Sequence, residues 1–161
     1  CYYFDGNCRI DIGNKLPDSR ELTISLWIKR EDYEDRTFFS DMTEVWHNDL
    51  ILSIENDTIV VRADKSGSGL WGRVSSIGTL KSDKWLFISW SMGLEKSLVF
   101  VNGILEGTVS GRGSNQGFHG ANIGWREGGF SWKGSIDDVR IYNRALSAEE
   151  VKALYEFEKA N

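Results

Sequence analysis

The stretch GSIDDVRIYNRALSAEEVKALYE, residues 134–156, joins two unlike patterns end to end. Ile136, Val139 and Ile141 mark its first half as a strand. The second half opens with the capping-box pair Ser147 and Glu150, ahead of Val151, Leu154 and Tyr155 at i, i+3 and i+4. That spacing predicts a short amphipathic helix whose apolar stripe packs on the edge of a β-structure and closes the domain. The strand itself carries two adjacent carboxylates, Asp137 and Asp138, which simple alternation would send to opposite faces.

Upstream of this tail the chain reads as strands. LTISLWIKR (22–30), LILSIEN (50–56), TIVVRAD (58–64), KWLFISWSM (84–92) and SLVFVNGILEGTV (97–109) are short, rich in β-branched and aromatic residues, and bounded by turn formers. Asn102-Gly103 stands between two apolar runs and predicts a type I′ hairpin, which needs positive φ at both central residues. Seventeen glycines against one proline fit many tight turns, and SGRGSNQGFHGANIG (110–124) reads as a long loop leading into a strand. The class is all-β with a terminal helix.

Composition bounds the partners. A chain of 161 residues, 40% of them hydrophobic, matches a single domain, 1–161, able to bury most of its apolar surface. A net charge of −5 opposes binding to phosphate backbones, so nucleic acid is not an expected partner. No run approaches the roughly 18 apolar residues of a membrane span, and the N-terminus lacks a signal-peptide layout. Cys1 and Cys8 do not fall opposite each other in a two-strand reading of CYYFDGNCRIDIG, so a bridge between them needs an irregular loop. Cys1 is equally readable as a lipid-attachment residue or a simple boundary.

The tail GSIDDVRIYNRALSAEEVKALY resembles the C-terminal signature of bacterial laminin-G-like domains, members of the concanavalin-A-like jelly-roll superfamily. YYFDG (2–6), LTISLWIKR (22–30), DKWLFISWS (83–91), VFVNG (99–103) and NIG (122–124) follow in that family's order, leaving 31–49 and 110–121 unmatched. The resemblance implies an antiparallel two-sheet jelly-roll sandwich with the first and last strands close together. It also implies a secreted or cell-surface module of a larger protein.

Proximity of the chain ends would bring Asp5 toward Asp137 and Asp138, with Gly6 or Asn7 adding a carbonyl or amide oxygen. Calcium takes six to eight such hard oxygens, and some relatives in this superfamily carry a structural calcium. The expected ligand set is Asp138, Asp5 and Asn7; the competing reading is an Asp5 that serves only its own turn. Glycan hydrolases of this superfamily present E-x-D-x-x-E on one strand. Here ENDTIV (55–60) supplies Glu55 and Asp57 but places Val60 where the second glutamate is required. REDYEDR (30–36) reads as a solvated loop, and His47 and His119 are isolated, so no catalytic residue is nominated.

Seven tryptophans divide by context. Trp27 and Trp85 fall at strand positions that the resemblance implies are core, and Trp132 at one usually held by a core aromatic. Trp90 shares parity with Leu86 and Ile88 and faces either a packed layer or a groove. Trp46, Trp71 and Trp125 sit instead among polar and glycine-rich neighbours. Sugar rings stack their C–H faces on such indoles while polar side chains bind the hydroxyls. The candidate ligand-binding residues are therefore Trp71 with Arg73, Trp46 with His47, and Trp125 with Arg126 and Glu127, Trp71 foremost. The alternative is that each indole seals one end of a sandwich beneath a loop. The function expected is a non-catalytic carbohydrate-binding module; a protein-binding or structural adhesion domain is the first alternative and a hydrolase the second.

Overall fold

The computed structural model describes residues 1–13, 21–41, 50–63, 70–74, 80, 84–110, 120–126 and 128–160, with the backbone alone at 63 and 70–74. Among the described residues twelve strands precede one helix: β1 (Tyr2–Asp5), β2 (Ile10–Gly13), β3 (Leu22–Arg30), β4 (Arg36–Asp41), β5 (Leu50–Glu55), β6 (Thr58–Ala63), β7 (Leu70–Val74), β8 (Leu86–Met92), β9 (Lys96–Val101), β10 (Ile104–Ser110), β11 (Ala121–Ile123), β12 (Lys133–Tyr142) and α1 (Ala148–Glu158). They form two antiparallel six-stranded sheets, β1-β12-β3-β8-β9-β10 and β2-β11-β4-β5-β6-β7. The fold is the jelly-roll-type sandwich with a C-terminal helix that the sequence predicts.

Alternation builds the core. Leu22, Ile24, Leu26 and Ile28 of β3 meet Leu50, Leu52 and Ile54 of β5 and Ile59 and Val61 of β6 between the sheets, while the residues between them face out. In β4 a register shift between Thr37 and Phe39 lets Phe38 and Phe39 both enter the core. Trp132 packs edge-on against Phe38 at 5.7 Å, and Trp90 is buried elsewhere in the same core. Asn102 and Gly103 adopt φ of 50° and 74°, as the predicted I′ turn requires.

The paired carboxylates have a structural cause. Asp137 pairs with Trp27 and Arg140 with Ser25, so Asp138 and Val139 together face a single residue of β3. This is a β-bulge with Asp138 at φ 45°, a conformation aspartate tolerates, and Asp137 Oδ1 accepts the Asp138 N–H at 3.0 Å. The extra residue resets the alternation. Val139 and Ile141, out of phase with Ile136 in a regular strand, thereby pack against the same core as Ile136.

Ser147 Oγ accepts the Glu150 N–H while the Glu150 carboxylate accepts the Ser147 N–H, so the capping box is complete. The helix does not lie on the sandwich edge as its stripe suggests. Val151, Leu154 and Tyr155 cover Trp27, Phe87 and Phe100 on the outer face of β3, β8 and β9, in the middle of the first sheet. Three outward aromatics on adjacent strands make that face the larger apolar surface to bury. Trp85 also departs from expectation: it precedes β8, shares the parity of outward-facing Phe87, and is 37% exposed.

Candidate functional site

The outer face of the second sheet is built differently. Thr37 and Ser40 of β4, Ile51 and Ser53 of β5, Val60 of β6 and Asn122 of β11 all point away from the core, yet all are buried. The segment between β11 and β12 rises beside this face. It is tied down by Thr37 N–H to the Phe130 carbonyl (2.6 Å), Gly124 N–H to the Phe38 carbonyl (2.9 Å) and Ser40 Oγ–H to the Trp125 carbonyl (2.6 Å). Gly124, at φ +79°, lies directly against the Phe4 ring, where any side chain would collide. Between those anchors Arg126 and Phe130 stand over a cavity of about 220 Å³.

Asp35, Arg36, Thr37, Ser53, Glu55, Arg62, Arg126 and Phe130 line that cavity. Arg62 pairs with Glu55 at 2.9 Å, and the second Glu55 oxygen accepts from Ser53 Oγ at 3.1 Å. Arg36 is held by Asp32 and Glu34 at 2.7 and 2.8 Å. The Arg36 hydrogen bond holds the Asp32 carboxyl below its ordinary range, and Asp32 in turn raises Arg36, so this pair stays ionised across physiological pH. Asp35 Oδ1 accepts the Asn56 N–H at 2.7 Å. Phe130 is 45% exposed, with the Arg126 guanidinium 5.5 Å from its ring centre. Thr37 Oγ1 and Arg126 Nε are buried without a hydrogen-bond partner. The site combines acceptors, cationic donors and an aromatic ring around one small space.

REDYEDR therefore does more than solvate a loop. Arg30 is buried, binding the Asp32 carbonyl (2.7 Å), the Glu34 carbonyl (3.2 Å) and the Asp57 carboxylate (2.7 Å). It fixes the loop that carries Asp35 and Arg36 into the cavity. The hydrolase-like spacing in ENDTIV dissolves for a related reason: Asn56 and Asp57, at φ 49° and 54°, form the β5–β6 turn, so Glu55 and Asp57 do not share one strand.

Of the residues nominated from sequence, Arg126 lines the cavity. Trp71 and Arg73 belong to β7, not to a loop, and their backbones pair with Arg62 and Val60 at the edge of the second sheet. Trp125 stands outside the cavity, half-buried, with the Arg9 guanidinium 4.7 Å above its ring. Trp46, His47 and Glu127 lie outside the described residues, as does His119. Phe130, Glu55 and Arg62 are additions. A glycine pair before an aromatic, in REGGF, is the signal that points to Phe130.

The proposed calcium ligands do not come together. Asp5 pairs with Lys133 at one end of β1, whereas Asp138 lies beyond Ile136, the partner of Tyr2 at the other end. Asp5 Oδ1 accepts the Asn7 and Cys8 N–H groups at 2.8 and 3.2 Å, which lowers its pKa: it serves its own turn. Asp138 borders an apolar cleft of about 380 Å³ with Tyr2, Phe4 and Ile10 rather than a cage of oxygens. Among the described residues no group of three or more His, Cys, Asp or Glu side chains could hold a metal. The trio does not fit calcium. Cys1 and Cys8 are both free and exposed.

A laminin-G profile, described as the concanavalin A-like lectin/glucanases superfamily, matches residues 4–152. The chain belongs to this superfamily. No curated protein matches this concanavalin A-like chain by sequence. Solved structures share its fold. Domain 4 of AbnA, a GH43 extracellular arabinanase from Geobacillus stearothermophilus in complex with arabinotriose, is 20% identical with a TM-score of 0.79, over 95% of this chain and 75% of that one. The CBM40 of the Ruminococcus gnavus IT-sialidase is 16% identical with a TM-score of 0.78, over 96% and 95%. The SAP-like pentraxin of Limulus polyphemus is 18% identical with a TM-score of 0.75, over 95% and 80%. Among the described residues no helix is long and apolar enough to cross a membrane.

Proposed function

We propose that this domain is a non-catalytic carbohydrate-binding module whose glycan enters the cavity on the outer face of the second sheet. The observation that carries this reading is the lining: a polar floor of Thr37 and Ser53, the bonded Glu55–Arg62 pair, and an exposed Phe130 at the rim. Carboxylates and hydroxyls bind sugar hydroxyls, and an aromatic ring offers the apolar C–H face a platform. The backbones of Trp71 and Arg73 on β7 pair with Arg62 and Val60 of the same sheet, which keeps them candidates for a contact beside the cavity. Structural neighbours support the reading, since an arabinanase domain was solved with arabinotriose and a sialidase CBM40 with α2,3-sialyllactose. The non-catalytic reading rests on Glu55 being committed to Arg62 and Ser53, with Asp57 drawn away to Arg30. It carries a location with it: an extracellular module of a larger glycan-handling protein.

The test is a glycan-array screen of wild type beside folded Phe130→Ala and Trp71→Ala. Selective binding that weakens about three- to tenfold in Phe130→Ala supports the site, matching the 0.5–1.5 kcal/mol of an aromatic contact. A blank array for folded wild type rejects it in favour of a protein-binding or structural role.

A further inference from the structure

Resting on the carbohydrate reading above, we propose that this cavity selects acidic glycans, with Arg126 receiving a sugar carboxylate. Three guanidinium groups face the cavity, and two are already matched. Arg62 is paired with Glu55, and Arg36 with Asp32 and Glu34. Arg126 differs: among the described residues it forms no ion pair, and its guanidinium lies over the face of Phe130. Its Nε is buried without a partner, as is the hydroxyl of fully buried Thr37 in the same cavity. A desolvated donor left unmatched costs free energy that a bound acceptor recovers. The planar guanidinium fork matches a carboxylate in particular, and its stacking on Phe130 holds the fork over the cavity mouth. Nor is Arg126 part of a general basic surface, since the chain carries a net charge of −5. Asp35 and Ser53 line the same cavity and can bond hydroxyls from the remainder of the same sugar.

Paired ligands test this: sialyllactose and an oligogalacturonide, each beside its methyl ester, which keeps the ring and removes the charge. Calorimetric titration of wild type is expected to show at least one acid bound about tenfold more tightly than its ester, the worth of one charge-assisted contact. Arg126→Gln should remove that difference, and Arg126→Lys should keep part of it. Esters bound as tightly as acids would overturn the acidic preference and leave the carbohydrate reading standing. Binding of neither acids, esters nor any array glycan would overturn both. Retention of the full acid preference in Arg126→Gln would overturn the assignment to Arg126. The comparison of acid with ester in wild type decides the preference even where a variant fails to fold.

Discussion

Turned outward, β3, β8 and β9 present Trp27, Phe87 and Phe100, and helix α1 lies across them. Turned outward, β4, β5 and β6 present Thr37, Ser53 and Arg62 around a cavity. The inward faces of both sheets are alike, since they share one core, so the difference was written only into the alternate positions of each strand. An apolar outer face must be covered, and here the chain covers it with its own last segment. A polar one needs no apolar cover, and its hydrogen-bonding groups can admit a ligand. The helix thus assigns function by exclusion: it removes one face from consideration as a binding surface.

The largest expected effect comes from breaking that assignment. Deleting residues 147–161 exposes Trp27, Phe87 and Phe100 and discards Val151, Leu154 and Tyr155. At about 1.5–3 kcal/mol for each fully buried large side chain, discounted for the half-buried ones, the loss is on the order of 5 kcal/mol. Denaturant unfolding should show it as a much lower midpoint. An unchanged midpoint would mean that the helix is an ornament on a self-sufficient sandwich.

Two threonines sharpen the comparison at a smaller scale. Thr23 and Thr37 are both fully buried on outward positions, one on each sheet. Thr23 Oγ1 donates to the Arg144 carbonyl at 2.8 Å and accepts the Leu146 N–H at 2.9 Å, tying the approach to α1 onto the sheet. Thr37 Oγ1 has no partner. Thr23→Val should therefore cost about 1–3 kcal/mol, because it leaves the Leu146 N–H buried and unmatched. Thr37→Val should leave stability unchanged or raise it, while weakening glycan binding. Stability gained with binding lost is the signature of a group kept for a ligand rather than for the fold. Equal destabilisation by both would remove the distinction between the faces.

The same contrast explains which parts of the molecule are legible in the sequence. Strands β3, β5, β6 and β8 and the β9–β10 hairpin alternate cleanly and are bounded by strong turns, so residue patterns alone place them. The capping box places α1, but its docking surface depends on which strands are neighbours, a fact of topology that no local pattern holds. β4 hides because its bulge puts Phe38 beside Phe39, and β7 because Gly72 and its polar flanks read as a loop. The site hides more deeply. Glu55 and Arg62 look like ordinary strand-surface charges until the Arg62 side chain, opposite Ile51 in the hairpin, reaches along the sheet to within 2.9 Å of Glu55, and Phe130 joins them from a segment far along the chain. Asp5 and Asp138 show the converse: adjacency of two strands is legible, but register is not, and register keeps the two carboxylates apart.

The smallest expected effect concerns a charge placed on the covered face. Glu158, at the end of α1, accepts Trp27 Nε1–H at 2.7 Å and lies 3.0 Å from Arg140 Nε. Burial nonetheless outweighs both partners and pushes its carboxyl pKa up. The folded state holds this proton more tightly than the unfolded chain, so the stability it contributes is full below the ordinary value of 4.5 and is lost as pH rises through the raised one. Glu158→Gln keeps an amide oxygen for Trp27 and removes the charge. It should flatten this part of the pH profile and leave the domain at least as stable as wild type near neutral pH, measured as Tm across the range. A variant less stable than wild type at neutral pH would show that the Arg140 pair outweighs burial. Carboxylates would then be as much at home under the helix as in the cavity, and the chemical contrast between the two faces would narrow to their aromatic content.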